Sequence, residues 1–278
     1  MACVIKISLI TPSLDKVSYL EACLRSVLDQ ASPALEYGVV DGGSTDGSLE
    51  ILERYRDSLA FCLSEPDQGM YDALVKGFAR TTGEIMGYIG ADDLHLPWTL
   101  SAVGEIFERF PDVMWITSLY PVTADARGRV LRARRLPPPT ADSFWRGLNL
   151  PGFSWWSAGW IQQESTFWRR SLWDRAGGID SSLKLAGDFD LWCRFMKIVE
   201  PVGVATPLAA FRRHGSQITG SNASLYRDEA LASLRKWGGK PDSYLASRMR
   251  EGVRRLSICQ KRDFIRYDFA ASEWRRSA

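Results

Sequence analysis

The amino-acid sequence predicts an α/β protein built on a mostly parallel sheet covered by helices. Through residues 1–120, short β-branched runs alternate with segments of helical periodicity, the pattern of strands joined by crossover helices. Each run then ends in polar or acidic residues, as expected where parallel strands meet a ligand crevice. The 278 residues are 45% apolar and 24% charged, a composition that supports a globular core and excludes a disordered or fibrous protein.

The elements can be placed in order along the first half. The predicted strands cover residues 4–10, 35–40, 59–63, 85–89 and 113–117. Ser18 and Glu21 form a capping-box pattern before apolar residues at helical spacing, so a helix is predicted to begin there. Further helices are predicted over residues 49–55 and 71–78. The arginine-rich residues 127–139 are interpreted as a connector with an edge hairpin.

The second half mixes both kinds of element. A strand is predicted over residues 165–168, and a helix from Ser171 is expected to end at Gly177. Another helix is predicted to begin near Asp188. From residue 222 onward the pattern predicts helix alone.

Charge and cysteine content narrow the functional classes. Lysine and arginine number 35 against 33 acidic residues, and a formal charge of +2 argues against nucleic acid as the partner. The five cysteines are scattered without a CxxC pair, which favours a reducing compartment over a disulfide framework. The apolar run at residues 4–10 is too short for a signal sequence or a membrane span. A cytoplasmic location is therefore predicted.

The first motif is a carboxylate at the end of the second predicted strand. Residues 39–48 read VVDGGSTDGS, which places Asp41 before glycines and hydroxyl side chains. Asp41 could accept hydrogen bonds from a nucleotide base or ribose, because glycines allow a ligand to approach the backbone closely. The segment lacks the GxGxxG spacing and the terminal Lys-Ser/Thr of phosphate-binding loops. An ordinary βα turn with side-chain caps is the alternative.

Two further acidic pairs follow later in the chain. Asp92 and Asp93 come after the fourth predicted strand, where adjacent carboxylates suit Mg²⁺ or Mn²⁺ bound to a diphosphate; a solvated acidic turn is the alternative. Asp188 and Asp190 lie near a predicted helix start and point in different directions. One can therefore serve as a base while the other caps the helix, and capping by both is the alternative.

In this order and spacing, the three segments resemble the inverting family 2 glycosyltransferases of the GT-A fold. The resemblance covers roughly residues 4–220. It implies that Asp41 contacts the nucleotide base and that Asp188 is the catalytic base. It also implies that Asp92 contacts the ribose and Asp93 the metal.

Shorter segments extend the resemblance, and two positions depart from it. Residues 64–73, SEPDQGMYDA, are similar to a signature of bacterial surface-polysaccharide enzymes, which implies that Asp67 lies in the donor site with Lys76 nearby. A helix N-terminus with favourable acidic residues is the alternative reading of that segment. Gly90 and Gly187 stand where the family often carries an acidic residue.

Three more residues complete the implied donor site. Thr11 and Pro12 lie at the end of the first predicted strand, on the same rim of the sheet. His214 belongs to FRRHGS, a segment that resembles the family's late basic stretch near the diphosphate or the metal. A structural histidine is the alternative.

The implied function is transfer of one sugar, with inversion, from a nucleotide-diphosphate sugar to a hydroxyl of a glycan or lipid-linked acceptor. Mg²⁺ or Mn²⁺ would bridge the two phosphates, and Asp190 is the alternative base to Asp188. A nucleotidyltransferase on a similar fold and a non-catalytic sugar-binding or scaffold protein with a degenerate site are the competing classes. The chain carries no Gln-x-x-Arg-Trp element, which favours single transfers over polymerisation.

The predicted organisation is a GT-A domain over residues 1–220 followed by a helical C-terminal extension over 221–278. A nucleotide-sugar half over about 1–120 would precede an acceptor half over about 121–220. Residues 245–276 combine basic side chains with an apolar stripe and predict peripheral contact with anionic lipid at the inner face of the membrane, a solvated helix face being the alternative. The stripe consists of Leu245, Met249, Val253, Leu256 and Cys259. The tryptophan-rich stretch 145–173 is expected to wall the acceptor side or to pack in the core.

Overall fold

A computed structural model describes residues 5–150, 159–215, 217, 222–243, 246 and 263–277. The strands are β1 (Ile7–Ser13), β2 (Leu35–Asp41), β3 (Phe61–Ser64), β4 (Ile85–Tyr88), β5 (Leu94–His95), β6 (Trp115–Ser118), β7 (Val122–Asp125), β8 (Val130–Ala133), β9 (Thr166–Arg169), β10 (Val202–Val204), β11 (Ala209–Arg213), β12 (Phe264–Asp268) and β13 (Glu273–Ser277). The helices are α1 (Val17–Leu28), α2 (Ser48–Tyr55), α3 (Met70–Phe78), α4 (Thr99–Arg109), α5 (Ala141–Trp145), α6 (Arg170–Ala176), α7 (Gly187–Ile198) and α8 (Ala223–Lys236).

One large sheet organises the molecule, in the order β13-β12-β10-β6-β9-β4-β1-β2-β3. Strands β1 to β4 are parallel to their neighbours within this group, and β9 inserts antiparallel between β4 and β6. Because β1, β2 and β4 run the same way, their carboxyl ends meet at one edge of the sheet. Ser13 and Asp41 are register partners at that edge.

Every residue of β1 and β4 is buried, as expected for parallel strands covered on both faces of the sheet. One face packs against α1, α2 and α4, and the other against α3, α7 and α8. Trp168 packs with Trp115 and Trp192 in the core between the sheet and helices α3, α7 and α8, and none of the three is more than 1% exposed. The core interpretation therefore holds for Trp168, whereas Trp160 is 43% exposed.

The strands and helices predicted for the first half are confirmed, with ends shifted by one to three residues. The capping box is wrong: α1 begins at Val17, one residue before Ser18, and no side chain of its own caps it. The loop between β2 and α2 supplies the caps instead. Asp46 Oδ2 accepts a hydrogen bond from the Val17 amide at 2.9 Å, and Ser48 Oγ accepts one from the Lys16 amide at 3.1 Å.

A second sheet, ordered β5-β11-β7-β8, includes a hairpin formed by β7 and β8. Only β8 lies within residues 127–139, where the edge hairpin was predicted, so the hairpin begins earlier in the chain than predicted. Strand β11 of this sheet pairs with β5, the short strand that directly follows Asp93. This pairing brings the segment after residue 209 beside the acidic pair at the end of β4.

The prediction that residues 221–278 are helical is wrong for the C-terminal part. Helix α8 is followed by a hairpin in which β12 pairs parallel with β10 and antiparallel with β13. Trp274 Nε1 donates to Glu105 Oε2 at 2.8 Å, and Arg109 Nη2 lies 2.7 Å from Glu273 Oε2, so the hairpin is also held to α4. These residues thus complete the main sheet, while the domain boundary at residue 220 stays a prediction.

The membrane-related residues are only partly described. The apolar stripe of Leu245, Met249, Val253, Leu256 and Cys259 lies outside the described residues. Within the described ranges, no helix combines the length and apolar composition that crossing a membrane requires.

Candidate active site

Asp41 ends β2 and is fully buried, with its carboxylate held by its own loop. Oδ2 accepts hydrogen bonds from the Gly43 amide at 3.0 Å, the Ser44 amide at 2.9 Å and the Ser64 hydroxyl at 2.9 Å. The turn with side-chain caps is therefore present, and it leaves Asp41 little capacity for a ligand. Opposite it, the buried Ser13 hydroxyl has no hydrogen-bond partner among the described residues.

The loop after β3 brings Asp67 to the same edge. A Cβ atom placed on Gly42 would lie 2.7 Å from Asp67 Oδ2, so the glycine leaves room for this carboxylate beside the loop of Asp41. Lys76 Nζ lies 2.9 Å from Glu65 Oε1 and 3.1 Å from Asp72 Oδ2. The structure therefore places Asp67 in the loop after β3 and Lys76 on the following helix α3, where Lys76 is already paired to two acidic groups.

Thr11 and Pro12 are both buried near the end of β1. The Thr11 hydroxyl lies 2.8 Å from the Tyr37 hydroxyl, in the core beneath α1. Its side chain is therefore committed to the interior, and only its backbone could fulfil the predicted contact with a donor. The predicted contact of Pro12 stays a prediction.

Asp92 and Asp93 lie between β4 and β5, where basic groups from two distant segments surround them. Lys16 Nζ is 3.0 Å and His214 Nε2 is 3.1 Å from Asp92 Oδ2. The Arg212 amide donates to Asp93 Oδ1 at 2.8 Å, and the Arg212 guanidinium donates to the Asp92 carbonyl oxygen. The structure thus brings His214 to the acidic pair, and it adds Lys16 and Arg212, which sequence reasoning missed.

The acidic pair fits a divalent cation held together with substrate phosphate. Asp92 Oδ1 and Asp93 Oδ2 lie 3.1 and 3.2 Å from the point where a Cβ on Gly90 would stand, so both face one spot that a side chain there would fill. Burial, followed by the charges of Glu164 and Asp92, raises the pKa of Asp93 well above its usual range, and a cation would reverse this effect.

Few side chains that could ligate a metal ion surround that spot in the described residues. No group of three His, Cys, Asp or Glu side chains in the described ranges has the arrangement of a metal site. Mg²⁺ commonly takes one or two carboxylates and completes its shell with water and substrate phosphates. The pair is therefore suited to a cation that arrives with its substrate.

Asp188 stands in the first turn of α7 and is 9% exposed. Its Oδ1 accepts from the Phe189 amide at 2.7 Å and from the Tyr226 hydroxyl at 3.2 Å. Burial raises the pKa of Asp188 to about 6, against the lowering effect of these hydrogen bonds. A carboxylate with that pKa can take a proton near neutral pH.

Asp190 has a different environment, although it is only two residues away. Its carboxylate forms an ion pair with Arg194 at 2.9 Å and accepts from Trp237 Nε1 at 2.8 Å. The ion pair lies within α7, whereas the Trp237 contact joins α7 to the end of α8, and Asp190 is 1% exposed. Both oxygens of Asp190 are therefore bound within the protein, one to Arg194 and the other to Trp237.

Tyr71 explains why Gly187 stands where the family often has an acidic residue. A Cβ on Gly187 would lie 2.8 Å from the Tyr71 ring. The Tyr71 hydroxyl donates to the Leu185 carbonyl at 2.6 Å and lies 3.4 Å from Asp188 Oδ1. The missing side chain is thus replaced by a ring from α3 that packs against the start of α7.

Helix α8 also holds the start of α7. The Glu229 carboxylate accepts from the Leu185 amide at 2.8 Å and the Ala186 amide at 2.9 Å, and the same helix supplies Tyr226 to Asp188. Sequence reasoning assigned α8 to an extension and missed both residues, since nothing in their local pattern distinguishes them from surface helix positions.

Comparison with known proteins agrees with the sequence resemblance. The family described as Glycosyl transferase family 2 matches residues 8–172. An uncharacterized glycosyltransferase of Mycobacterium tuberculosis (strain CDC 1551 / Oshkosh) is 26% identical over 266 residues, which cover 94% of this chain and 93% of that protein. A PGL/p-HBAD biosynthesis glycosyltransferase of Mycobacterium bovis (strain BCG / Pasteur 1173P2) is 39% identical over 89 residues, 31% of this chain and 35% of that protein.

Solved structures share the fold at low sequence identity. Residues 1–349 of S. aureus TarS in complex with UDP-GlcNAc superpose with a TM-score of 0.65 at 17% identity, covering 84% of this chain and 66% of that one. The mannosyltransferase PcManGT from Pyrobaculum calidifontis, in complex with GDP-Man and Mn²⁺, superposes with a TM-score of 0.51 at 17% identity. The match covers 92% of this chain and 81% of that one. The present chain spans 60% of a further TarS 1–349 structure. The chain belongs to glycosyl transferase family 2 and has the GT-A fold that its sequence predicts.

Proposed function

We propose that the protein transfers one hexosyl group, with inversion, from a nucleoside-diphosphate sugar to a hydroxyl of a glycan or lipid-linked acceptor in polysaccharide biosynthesis. The observation that carries the proposal is Asp188, a buried carboxylate with a pKa of about 6. Asp188 lies 3.4 Å from the hydroxyl of Tyr71 on α3, a helix that packs against β1. At the end of the neighbouring strand β4, Lys16 and His214 flank Asp92, and these basic groups suit a diphosphate. The ligands named for TarS and PcManGT, UDP-GlcNAc and GDP-Man, support this class of donor.

In this mechanism Asp188 takes the proton of the acceptor hydroxyl as its oxygen attacks the anomeric carbon. The bond from that carbon to the diphosphate oxygen breaks on the opposite face, so the configuration inverts without a covalent enzyme intermediate. Lys16, Arg212 and His214 stabilise the negative charge that develops on the leaving diphosphate. Mg²⁺ or Mn²⁺ held by Asp92 and Asp93 would supply further charge stabilisation when bound.

The test is a turnover assay with UDP-GlcNAc and GDP-mannose and a panel of glycan and lipid-linked acceptors. Release of nucleoside diphosphate together with a glycosylated acceptor supports the proposal. Release of pyrophosphate would identify a nucleotidyltransferase instead. Binding of nucleotide sugar without any turnover would favour a non-catalytic sugar-binding protein.

The pH dependence of transfer should report the ionisation of Asp188. Because the base must be deprotonated, kcat/KM is expected to rise about tenfold per pH unit below pH 6 and to level off above it. Because the pKa of Asp188 is higher in the folded state than in the unfolded state, protonation of Asp188 stabilises the fold at low pH. That contribution is lost as the pH rises through about 6, so Asp188 does not cause acid unfolding. A flat profile between pH 5 and 8, with Tm measured at each pH, would contradict the assignment.

Donor binding should depend on a divalent cation. Calorimetric titration with a nucleotide sugar is expected to show at least tenfold weaker binding, about 1.4 kcal/mol, when chelator is in excess. Asp93→Asn should remove this dependence, whereas the exposed control Glu53→Gln should keep it. Undiminished affinity in chelator would contradict the dependence on a cation. It would favour a metal-free site in which Lys16, Arg212 and His214 hold the diphosphate.

We also propose peripheral contact of residues 245–276 with anionic lipid. Within the described part of that segment, Phe269 is 86% exposed at the turn of the β12–β13 hairpin and Arg266 is exposed on β12. The protein is expected to sediment with vesicles that contain phosphatidylglycerol, less so at high salt and less for Phe269→Ser. Equal sedimentation with neutral vesicles would count against electrostatic recruitment. Single substitutions are preferable to truncation, because truncation removes strands of the main sheet.

A further inference from the structure

Glu164 is a buried carboxyl group that neither the predicted site nor the proposed mechanism uses. It lies in a single 3-10 turn, Gln163–Ser165, that leads into β9 and packs against β4, β5, β6 and β11. Its side chain is 2% exposed, and Oε1 has no hydrogen-bond partner in the part of the chain that the structure describes. His95 Nε2 lies 3.2 Å from its carbonyl oxygen, which ties the turn to β5.

Tyr88 is a second polar group of this kind. It ends β4 at the edge where the parallel strands terminate, and it is 1% exposed. Its hydroxyl also has no hydrogen-bond partner within the described ranges. Folded proteins pair most buried polar atoms, so two unpaired oxygens at one edge of a sheet call for a shared explanation.

Packing brings the two groups together, because the 3-10 turn that holds Glu164 contacts β4, the strand that ends at Tyr88. Burial raises the pKa of Tyr88, and the charges of Asp188 and Glu164 raise it further. Burial likewise raises the pKa of Glu164, with the charges of Asp188 and Asp92 adding to the effect. Tyr88 also packs in one core cluster with Tyr71, whose hydroxyl lies 3.4 Å from Asp188 Oδ1, and it stands four residues before Asp92. The two groups thus lie in the region that contains both Asp188 and the acidic pair.

In the mechanism proposed above, the transferred sugar occupies the position between Asp188 and the acidic pair. The anomeric carbon is bonded to the diphosphate on one side and is attacked by the hydroxyl that Asp188 deprotonates on the other. The remainder of the sugar ring must lie between those two points. Its hydroxyl groups both donate and accept hydrogen bonds, which suits a phenol and a carboxyl group.

We propose that Tyr88 and Glu164 form the subsite that binds hydroxyl groups of the transferred sugar, and that this sugar is uncharged. The proposal rests on the function proposed above and adds the part of the donor that these residues contact. A sugar carboxylate would add a negative charge to a buried space where burial and the charges of neighbouring carboxylates already disfavour ionisation of Glu164 and Asp93. An uncharged sugar meets no such repulsion and satisfies both unpaired oxygens.

The test separates the sugar from the rest of the donor. Calorimetric titration of UDP and UDP-GlcNAc, or of GDP and GDP-mannose, is carried out on the native protein with Mn²⁺ and on Glu164→Gln and Tyr88→Phe. Each substitution is expected to weaken binding of the nucleotide sugar roughly five- to tenfold, the effect of one lost hydrogen bond, and to leave the nucleoside diphosphate nearly unchanged. The control is Tyr55→Phe on α2, which removes a hydroxyl that donates to Glu21 on α1. It should change neither affinity.

The outcomes are distinct. Equal weakening of nucleoside diphosphate and nucleotide sugar, no change in either, or a rise confined to the acceptor KM would each overturn the subsite. Preferred binding of the corresponding nucleotide uronic acid by the native protein would overturn the inference of an uncharged sugar. Failure of the native protein to bind or turn over any nucleotide sugar would instead refute the proposed function itself. If Glu164→Gln does not fold, Tyr88→Phe decides the question, with its Tm as the measure of intact structure.

Discussion

Asp188→Asn is expected to lower the rate of sugar transfer roughly 10²- to 10⁴-fold, the usual contribution of a positioned general base. Asparagine keeps the shape of the side chain and can still accept the hydrogen bond from the Phe189 amide. It cannot take a proton at neutral pH. Affinity for the nucleotide sugar should therefore stay nearly unchanged, and single-turnover transfer together with calorimetric titration measures both quantities.

The same substitution should not destabilise the protein above pH 6. Burial raises the pKa of Asp188 to about 6, so its ionised form is disfavoured in the folded state and asparagine removes that penalty. The Tm at pH 8 is expected to be equal or higher. Asp174→Asn, at an exposed position of α6, serves as the control for transfer. Near-normal transfer by Asp188→Asn would reject the assignment of the base.

Asp190→Asn is expected to have the opposite effect, with a loss of about 3–5 kcal/mol in the free energy of unfolding. The substitution leaves Arg194 without its partner in an ion pair whose side chains are 1% and 11% exposed. It also weakens the bond from Trp237 that joins α7 to α8. The expected cost exceeds the roughly 1 kcal/mol of a lost helix cap.

A second ion pair with the same helical spacing provides the control. Arg25 and Asp29 are also four residues apart, but their side chains are 63% and 64% exposed. Asp29→Asn should therefore cost less than about 1 kcal/mol, because water screens the pair. Chemical denaturation of both variants measures the difference. Loss of transfer by Asp190→Asn with unchanged stability and donor affinity would exchange the roles of Asp188 and Asp190.

The sequence predicted the sheet edge well because parallel strands impose a simple rule. Strand ends in β1, β2 and β4 meet at one place, so Asp41, Asp92 and Asp93 could be grouped without knowing any contact. His214 and Asp188 were added through resemblance to a family. The structure brings His214 to Asp92, and it separates Asp188 from Asp190 by their partners, which spacing alone could not do.

The missed residues share one physical property: their role depends on elements far away in the chain. Lys16 and Arg212 meet at Asp92 although 196 positions separate them. Tyr71 and Gly187 form a complementary pair, since the ring occupies the space that a side chain on α7 would need. We therefore expect positions 71 and 187 to change together in relatives, a small residue at 71 accompanying a larger one at 187.

The C-terminal strands were missed for a related reason. In β12 and β13 only Ile265 and Trp274 are buried, so neither strand shows a clear alternation of apolar and polar residues. Pairing with β10, rather than local pattern, makes β12 a strand. Sequence reasoning that reads one segment at a time therefore assigned helix to a basic stretch that is a hairpin at its end.

The same hairpin sets the order in which the protein can fold during synthesis. β10 ends at Val204 and β12 begins at Phe264, about 60 residues later in the chain. At ribosomal rates of roughly 5–20 residues per second, β10 is exposed without its neighbour β12 for roughly 3–12 seconds during synthesis. An unpaired strand edge is prone to pair with other chains, so slow translation between these strands should favour aggregation of newly made protein.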